Sequence, residues 1–173
     1  LCHLESAYGP RSRRLLSHLG VAPGFRCLEV GAGAGDVAVW LAQRVTPGGH
    51  VVATDIDTRF LRRLQCPNLE IRQHDICSDP LEPEHYDLVH CRLVLAHVRD
   101  TAAVLGRMVA ALRRGGVLLV EEPIRAPLQA DPGWAGAAEY ERLLAAILGF
   151  LHGRGEDAAV GLRVPRILDT LGL

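Results

Sequence analysis

The sequence predicts an α/β fold, a doubly wound parallel sheet with helices on both faces. Three observations predict it. Short apolar runs alternate with segments of helical period through residues 26–122, the first run ends in a turn with glycine at alternate positions, and each of the next two is closed by an aspartate.

Arg26 to Gly31, Arg-Cys-Leu-Glu-Val-Gly, is the first run, and Ala34 to Arg44 follows it with Val37, Trp40 and Leu41 at helical spacing. Residues 50–55 form the second run, ending on Asp55, and Phe60, Leu61 and Leu64 predict a helix after it. Leu69 to Arg72 is the third, bounded by Pro67-Asn68 and by Asp75; Tyr86 to Cys91 is the fourth and leads to a helix over Ala102 to Leu112. Arg113-Arg114-Gly115-Gly116 reads as a basic-then-glycine helix stop before the fifth run, Val117 to Val120. Ahead of the sheet, Arg11 to Leu19 predicts a helix, stopped by Gly20, that covers an edge or the ligand mouth. Behind it come a loop over Pro123 to Pro132, a helix over Trp134 to Leu151, a turn over Gly153 to Gly161 and a short helix over Arg163 to Leu171. No repeat or long linker divides the chain, which therefore reads as one domain: an N-terminal cap over 1–25, a ligand-binding core over 26–122 and a helical substrate-side segment over 123–173.

Composition narrows the chemistry. The 173 residues are 49% hydrophobic, enough for one sizeable core. With 19 basic against 20 acidic residues there is no surplus to neutralise a phosphate backbone, so nucleic acid is not an expected partner. All 19 basic residues are Arg, and a chain without lysine can supply neither a Schiff base nor a P-loop. The five cysteines are odd in number and form no C-x-x-C pair, which reads as the reduced thiols of a cytoplasmic protein. Cys66, His74, Cys77, His90 and Cys91 match no closed zinc spacing, so no metal is expected. No apolar run approaches a membrane span, and no membrane partner is expected; Leu1 in place of Met reads as a trimmed or partial chain.

In an open parallel sheet, ligands bind beyond the carboxyl ends of the strands where strand order reverses. The first such turn here is Glu29-Val30-Gly31-Ala32-Gly33-Ala34-Gly35, whose glycines let backbone approach a ligand closely. A dinucleotide fingerprint would place glycine where Asp36 stands, and a carboxylate at that helix start repels a pyrophosphate. Asp55, closing the second run, is placed to accept from both hydroxyls of a ribose, with Asp57 the residue expected to cap the next helix. Asp75 and Ile76 follow the third, where a carboxylate accepts from an adenine amine while the next amide donates to the ring.

Residues 28–122 resemble the class I S-adenosylmethionine-dependent methyltransferases. Leu28 to Gly35 is similar to their E/D-x-G-x-G-x-G motif, Val51 to Asp57 to the second-strand acid segment, and Gln73-His74-Asp75-Ile76 to the adenine segment. Tyr86 to Val98 is similar to their fourth strand and following turn, and Leu112 to Glu121 to their L-x-P-G-G segment, with Arg114 in place of the proline. Within the family the ubiquinone and menaquinone C-methyltransferases look most alike. The resemblance implies a Rossmann-like sheet of order 3-2-1-4-5 and S-adenosylmethionine as cofactor, with S-adenosylhomocysteine (SAH) as product. It implies that Gly31, Gly33 and the main chain near them contact the methionine part, Asp55 the ribose hydroxyls, and Asp75 and Ile76 the adenine, with Glu29, Ala32, Gly35 and Ile56 also in the cofactor site and His74 orienting the adenine loop. Cys91 and Arg92 would lie beside the methionine or at the substrate entrance.

The implied partner is a small-molecule methyl acceptor. When the acceptor must lose a proton, His97 or His90 is the candidate base, and each has the alternative of packing as an ordinary histidine. His90-Cys91-Arg92 supplies no carboxylate cluster for a Mg²⁺-dependent mechanism, and the N/D-P-P-Y segment of DNA amino-methyltransferases is absent. Tyr8 with Arg13 or Arg14, and Trp134, Tyr140 and Phe150 of the 129–151 region from Gln129 to Leu151, either close the substrate pocket or pack as core. The family sheet ends in strands six and seven, which find no counterpart before Leu173, so a truncated domain or a homodimer is expected. The reading from another class is a non-catalytic methyltransferase-like binding or partner module.

Overall fold

Parallel pairing in the order β3-β2-β1-β4-β5 organises the chain. The structure, a computed structural model, describes residues 2–124 and 130–173. Its elements are α1 (Cys2–His18), β1 (Arg26–Val30), α2 (Asp36–Arg44), β2 (His50–Asp55), β3 (Leu69–Gln73), β4 (Tyr86–Arg92), α3 (Thr101–Ala111), β5 (Leu112–Glu121), α4 (Ala137–Gly153) and α5 (Val160–Thr170), with 3-10 turns over Leu61–Arg63 and Leu95–His97. The predicted strand order and all five predicted strands are present.

Strands β1, β2 and β4 are buried along nearly their whole length, while the edge strands β3 and β5 are largely half-buried or exposed. A strand covered on both faces reads as a continuous apolar run, which is why the central three stand out in the sequence. Side chains alternate across the sheet. Leu28, Val30, Val89 and Cys91 face α3 and α5, packing with Leu105, Met108 and Val164. Cys27, Val51 and Leu88 face the opposite layer and pack on Leu16 of α1 and on Val37 and Leu41 of α2.

Five local expectations change. The helix predicted around Phe60 to Leu64 is a single 3-10 turn, Leu61–Arg63, after which Leu64 is already extended. Pro67 disfavours helix immediately before it, and buried Leu61 alone anchors the turn. Asp57 consequently has no helix to cap; it accepts from the Arg59 amide and pairs with the Arg59 guanidinium at 2.6 Å. Arg113 to Gly116 lies inside β5 as a bulge between the pairs Tyr86↔Leu112 and Leu88↔Val117, with Gly115 at φ 76. The N-terminal helix begins far ahead of Arg11, and Trp134 lies in a turn before α4.

Leu28 of β1 is fully buried in the core cluster that includes Leu105 and Met108 of α3. Truncation of Leu28 to Ala is expected to lower stability by about 2–5 kcal/mol, the cost of a large-to-small core change. Urea unfolding checks it: the midpoint should fall with an unchanged slope.

Candidate functional site

Strand order reverses between β1 and β4, and a cavity of about 630 Å³ opens at the carboxyl ends of the strands there. That volume suits a ligand the size of a nucleoside joined to an amino acid. β1 delivers Glu29 and the Gly31-Ala32-Gly33 turn to its wall, β2 delivers Thr54 and Asp55 with Ile56, and the end of β3 delivers His74, Asp75 and Ile76. Leu93, Val94, His97 and Val98, after β4, line the opposite side, and Glu5 of α1 reaches the mouth.

The turn after β1 depends on backbone that only glycine adopts cheaply. Gly31 has φ 67, and a Cβ there would lie 2.4 Å from Val94 Cγ2. Asp55 ties this turn to the end of β2: its carboxylate accepts from the Gly33 amide at 2.8 Å and the Asp57 amide at 2.9 Å. Each oxygen keeps a lone pair for a ligand donor. Asp75 accepts from the Cys77 amide at 2.8 Å. His74 is buried, its Nε2 stands 3.3 Å from the Pro80 carbonyl, and its Nδ1 has no protein partner.

Glu122, just past β5, is a residue that sequence reasoning missed. One of its carboxylate oxygens accepts from the amides of Val94 at 2.7 Å and Leu95 at 2.6 Å. The Leu93 amide donates to Glu121 O, and Leu93 itself sits in the left-handed region at φ 59, a conformation costly for a branched residue. The wall of the cavity opposite the glycine turn is thus held under strain by the end of β5. No local pattern signals this; the partners are 27 and 28 residues apart.

Several candidate residues lie elsewhere than expected. Cys91 is fully buried on the α3 face and does not line the cavity, because alternation turns it away from the side that carries His90 and Arg92. Burial, with Glu122, Glu29 and Glu121 nearby, pushes its thiol well above the ordinary range, so it stays protonated. Gly35 is also absent from the wall; it takes φ 93 at the start of α2, where a Cβ would collide with Leu64. Arg92 lines the cavity, but its guanidinium is engaged by Asp36 at 2.7 Å and Ser12 at 3.0 Å. Asp36 therefore serves as a counter-ion, and with Glu5 near its amide the start of α2 already carries two carboxylates. Tyr8, Trp134, Tyr140 and Phe150 are not in the wall, Trp134 and Phe150 being exposed, and Gln129 lies outside the described residues.

The two histidines separate. His97 lines the cavity with a half-exposed ring, its Nδ1 3.8 Å from Glu156. His90 has no exposure and no place in the wall: Nδ1 lies 2.6 Å from Glu29 and Nε2 3.0 Å from Glu121. A base sealed between two carboxylates cannot reach an acceptor, so the expectation of His90 as general base is withdrawn. Burial works against its charge, but Glu29 and the hydrogen bonds to both carboxylates push its pKa up to about 9 from an ordinary 6.5. Burial likewise tends to raise Glu121, yet hydrogen bonds from His90 and Ser12 hold that carboxyl below its ordinary value. Among the described residues no group of His, Cys, Asp and Glu converges as a metal site.

Two predictions arise. A folded-state pKa above the unfolded one means the folded chain keeps a proton that the unfolded chain releases, so the His90 contribution is complete below pH 6.5 and is lost as pH rises through about 9. Denaturant titrations across that window should show stability falling by on the order of 3 kcal/mol, a slope that His90→Gln removes. Glu122→Ala should cost about 1–3 kcal/mol for each amide left without an acceptor, and Glu122→Gln much less; thermal unfolding of the pair distinguishes them.

Residues 28–118 match the methyltransferase domain family. The chain is 32% identical over 114 residues to an uncharacterised 37.1 kDa protein in transposon TN4556 of Streptomyces fradiae, covering 63% of this chain and 33% of that one. It is 33% identical over 111 residues to the ubiquinone/menaquinone biosynthesis C-methyltransferase UbiE of Pseudomonas putida, covering 60% and 43%. Among solved structures, the trans-methyltransferase CalH in complex with SAH superposes with a TM-score of 0.54 at 28% identity, over 74% of this chain and 38% of that one. The chain thus spans well under half the length of these relatives. With the family matched from β1 into β5 and the sheet order in agreement, the chain belongs to the S-adenosylmethionine-dependent class I methyltransferases.

Proposed function

We propose that this chain binds S-adenosylmethionine in the cavity between β1 and β4 and directs methyl transfer to a small-molecule acceptor entering from the side of Val94, His97 and Val98. The observation that carries this reading is the order of polar groups along the cavity: Glu29, the Gly31–Gly33 turn, Asp55, then Asp75 with Ile76. An ammonium, a ribose diol and an adenine amine each need an acceptor, and the three carboxylates succeed one another as those groups do in the cofactor. His74 Nδ1, buried in the wall without a protein partner, adds a further polar group for the nucleoside end. Arg92, neutralised by Asp36, contributes no free charge to the methionine end.

When bound, the cofactor supplies an electrophilic methyl on sulfur, transferred by in-line displacement. The chain's task is then positional: to hold the acceptor collinear with the methyl and sulfur and keep water out. Gly31 and Gly33 bring main chain close on one side, and Val94, pressed against Gly31, bounds the other. His97 projects into the cavity from a turn whose Leu95 and Ala96 are buried, a placement suited to taking a proton from an acidic acceptor. Residues 1–25 act as the cap, 26–122 as the cofactor core and 123–173 as the acceptor-side segment in this reading.

Calorimetric titration with SAH, beside Asp55→Ala, tests it. Micromolar binding that the substitution weakens by at least about tenfold, or 1.4 kcal/mol, is expected. Absence of heat from a folded parent chain would favour the non-catalytic partner module instead.

A further inference from the structure

The sheet face covered by α1 and α2 carries a buried row of charge. Alternation places Glu29 beyond Cys27 on β1, His90 beyond Leu88 on β4 and Glu121 beyond Leu119 on β5, all on this face, and register sets Glu29 directly beside His90. The imidazole bridges the row, 2.6 Å from Glu29 and 3.0 Å from Glu121. Both ring nitrogens face carboxylate oxygens, and a neutral imidazole can donate from only one of them. Donation to both carboxylates requires the doubly protonated ring, and the imidazole has no contact with water. Around it, Ser12 of α1 is buried and hydrogen-bonds Glu121, while Asp36 of α2 is held by Arg92 at 2.7 Å and faced by Arg13 at 4.0 Å.

Glu29 alone of the three also lines the cavity. His90 engages one oxygen of the Glu29 carboxylate, which leaves the other for a ligand ammonium.

We infer that His90 is a positioning residue for the amino-acid end of the cofactor: held between Glu29 and Glu121, it keeps the Glu29 carboxylate turned so that its second oxygen receives the cofactor ammonium. The inference rests on the cofactor assignment proposed above. It makes His90 matter to the amino acid and not to the nucleoside, a division that a residue of merely structural importance would not show.

The test compares two probes on the parent chain and on His90→Gln. SAH carries the amino acid; methylthioadenosine keeps the nucleoside and thioether and lacks it. The substitution should weaken SAH by about tenfold and leave methylthioadenosine within about twofold. Nitrogen NMR of the parent chain near neutral pH should show both His90 ring nitrogens protonated, with SAH and not methylthioadenosine shifting them. Equal loss for both probes, unchanged or tighter SAH binding, or a neutral His90 ring overturns the inference. If His90→Gln does not fold, the NMR comparison on the parent chain decides alone. Failure of the parent chain to bind either probe overturns the cofactor assignment itself, a result distinct from the others.

Discussion

The site depends on a constraint of connection: β1 has β2 on one side and β4 on the other, so the chain leaves neighbouring strands in opposite directions. The loops after β1 and β4 diverge, and a crevice opens between them with no side chain needed to carve it. The turn after β1 must begin at once, which puts Gly31 at φ 67 with Val94 against it, and the parallel register that joins the two strands puts Glu29 beside His90. Floor and walls therefore come from backbone pairing first and from side chains second.

Burying charge beneath such a crevice is costly unless every charge has a partner, and a paired charge buried in protein contributes less to stability than to definition of geometry. The α1/α2 face meets that requirement by pairing each group across elements. Arg92 reaches from β4 to Asp36 at the start of α2 and touches Ser12 of α1, so one guanidinium links the sheet to both covering helices. Gly9 of α1 lies so close to Asp36 that a Cβ would fall 2.4 Å from its carboxylate oxygen, which sets how near α1 approaches. The covering layer is thereby registered to the sheet through polar contacts, while Leu16 supplies its apolar anchor.

What could be read from the sequence was whatever period and local chemistry determine. Three largely covered strands, a glycine turn and two aspartates at strand ends are short-range signals, and the residues they mark line the cavity. What could not be read depends on partners far away. Glu29 and His90 are 61 residues apart, Arg92 and Asp36 56, and His90 and Glu121 31. Cys91 shows the boundary between the two: its position at the end of β4 was legible, but facing depends on register with β1, and register placed it on the α3 side. The helix expected after β2 failed for a local reason, Pro67, whose influence on the preceding chain outweighed the apolar spacing of Phe60 to Leu64. The aromatic residues near α4 were ambiguous because an amphipathic stripe does not say whether anything covers it, and Leu143, Ile147 and Phe150 stand exposed.

The two ends of the cavity differ in how firmly they are built. On the proposed reading, the cofactor half stands on β1, β2 and the end of β3, the first two buried along most of their length, and Asp55 and Asp75 are oriented by main-chain amides before any ligand arrives; little ordering remains to oppose binding. The acceptor half on that reading is a turn after β4 that Glu122 holds in a strained form, flanked by a turn over 154–159. Elements with few buried contacts open and adapt at lower cost than a sheet interior. On the proposed reading, affinity for the cofactor and choice among acceptors reside in separate parts of the chain. His97 belongs to both: its turn is anchored by buried Leu95 and by the Asp157 amide donating to Ala96 O, so a ring exposed to a changeable acceptor is carried by backbone that does not change with it.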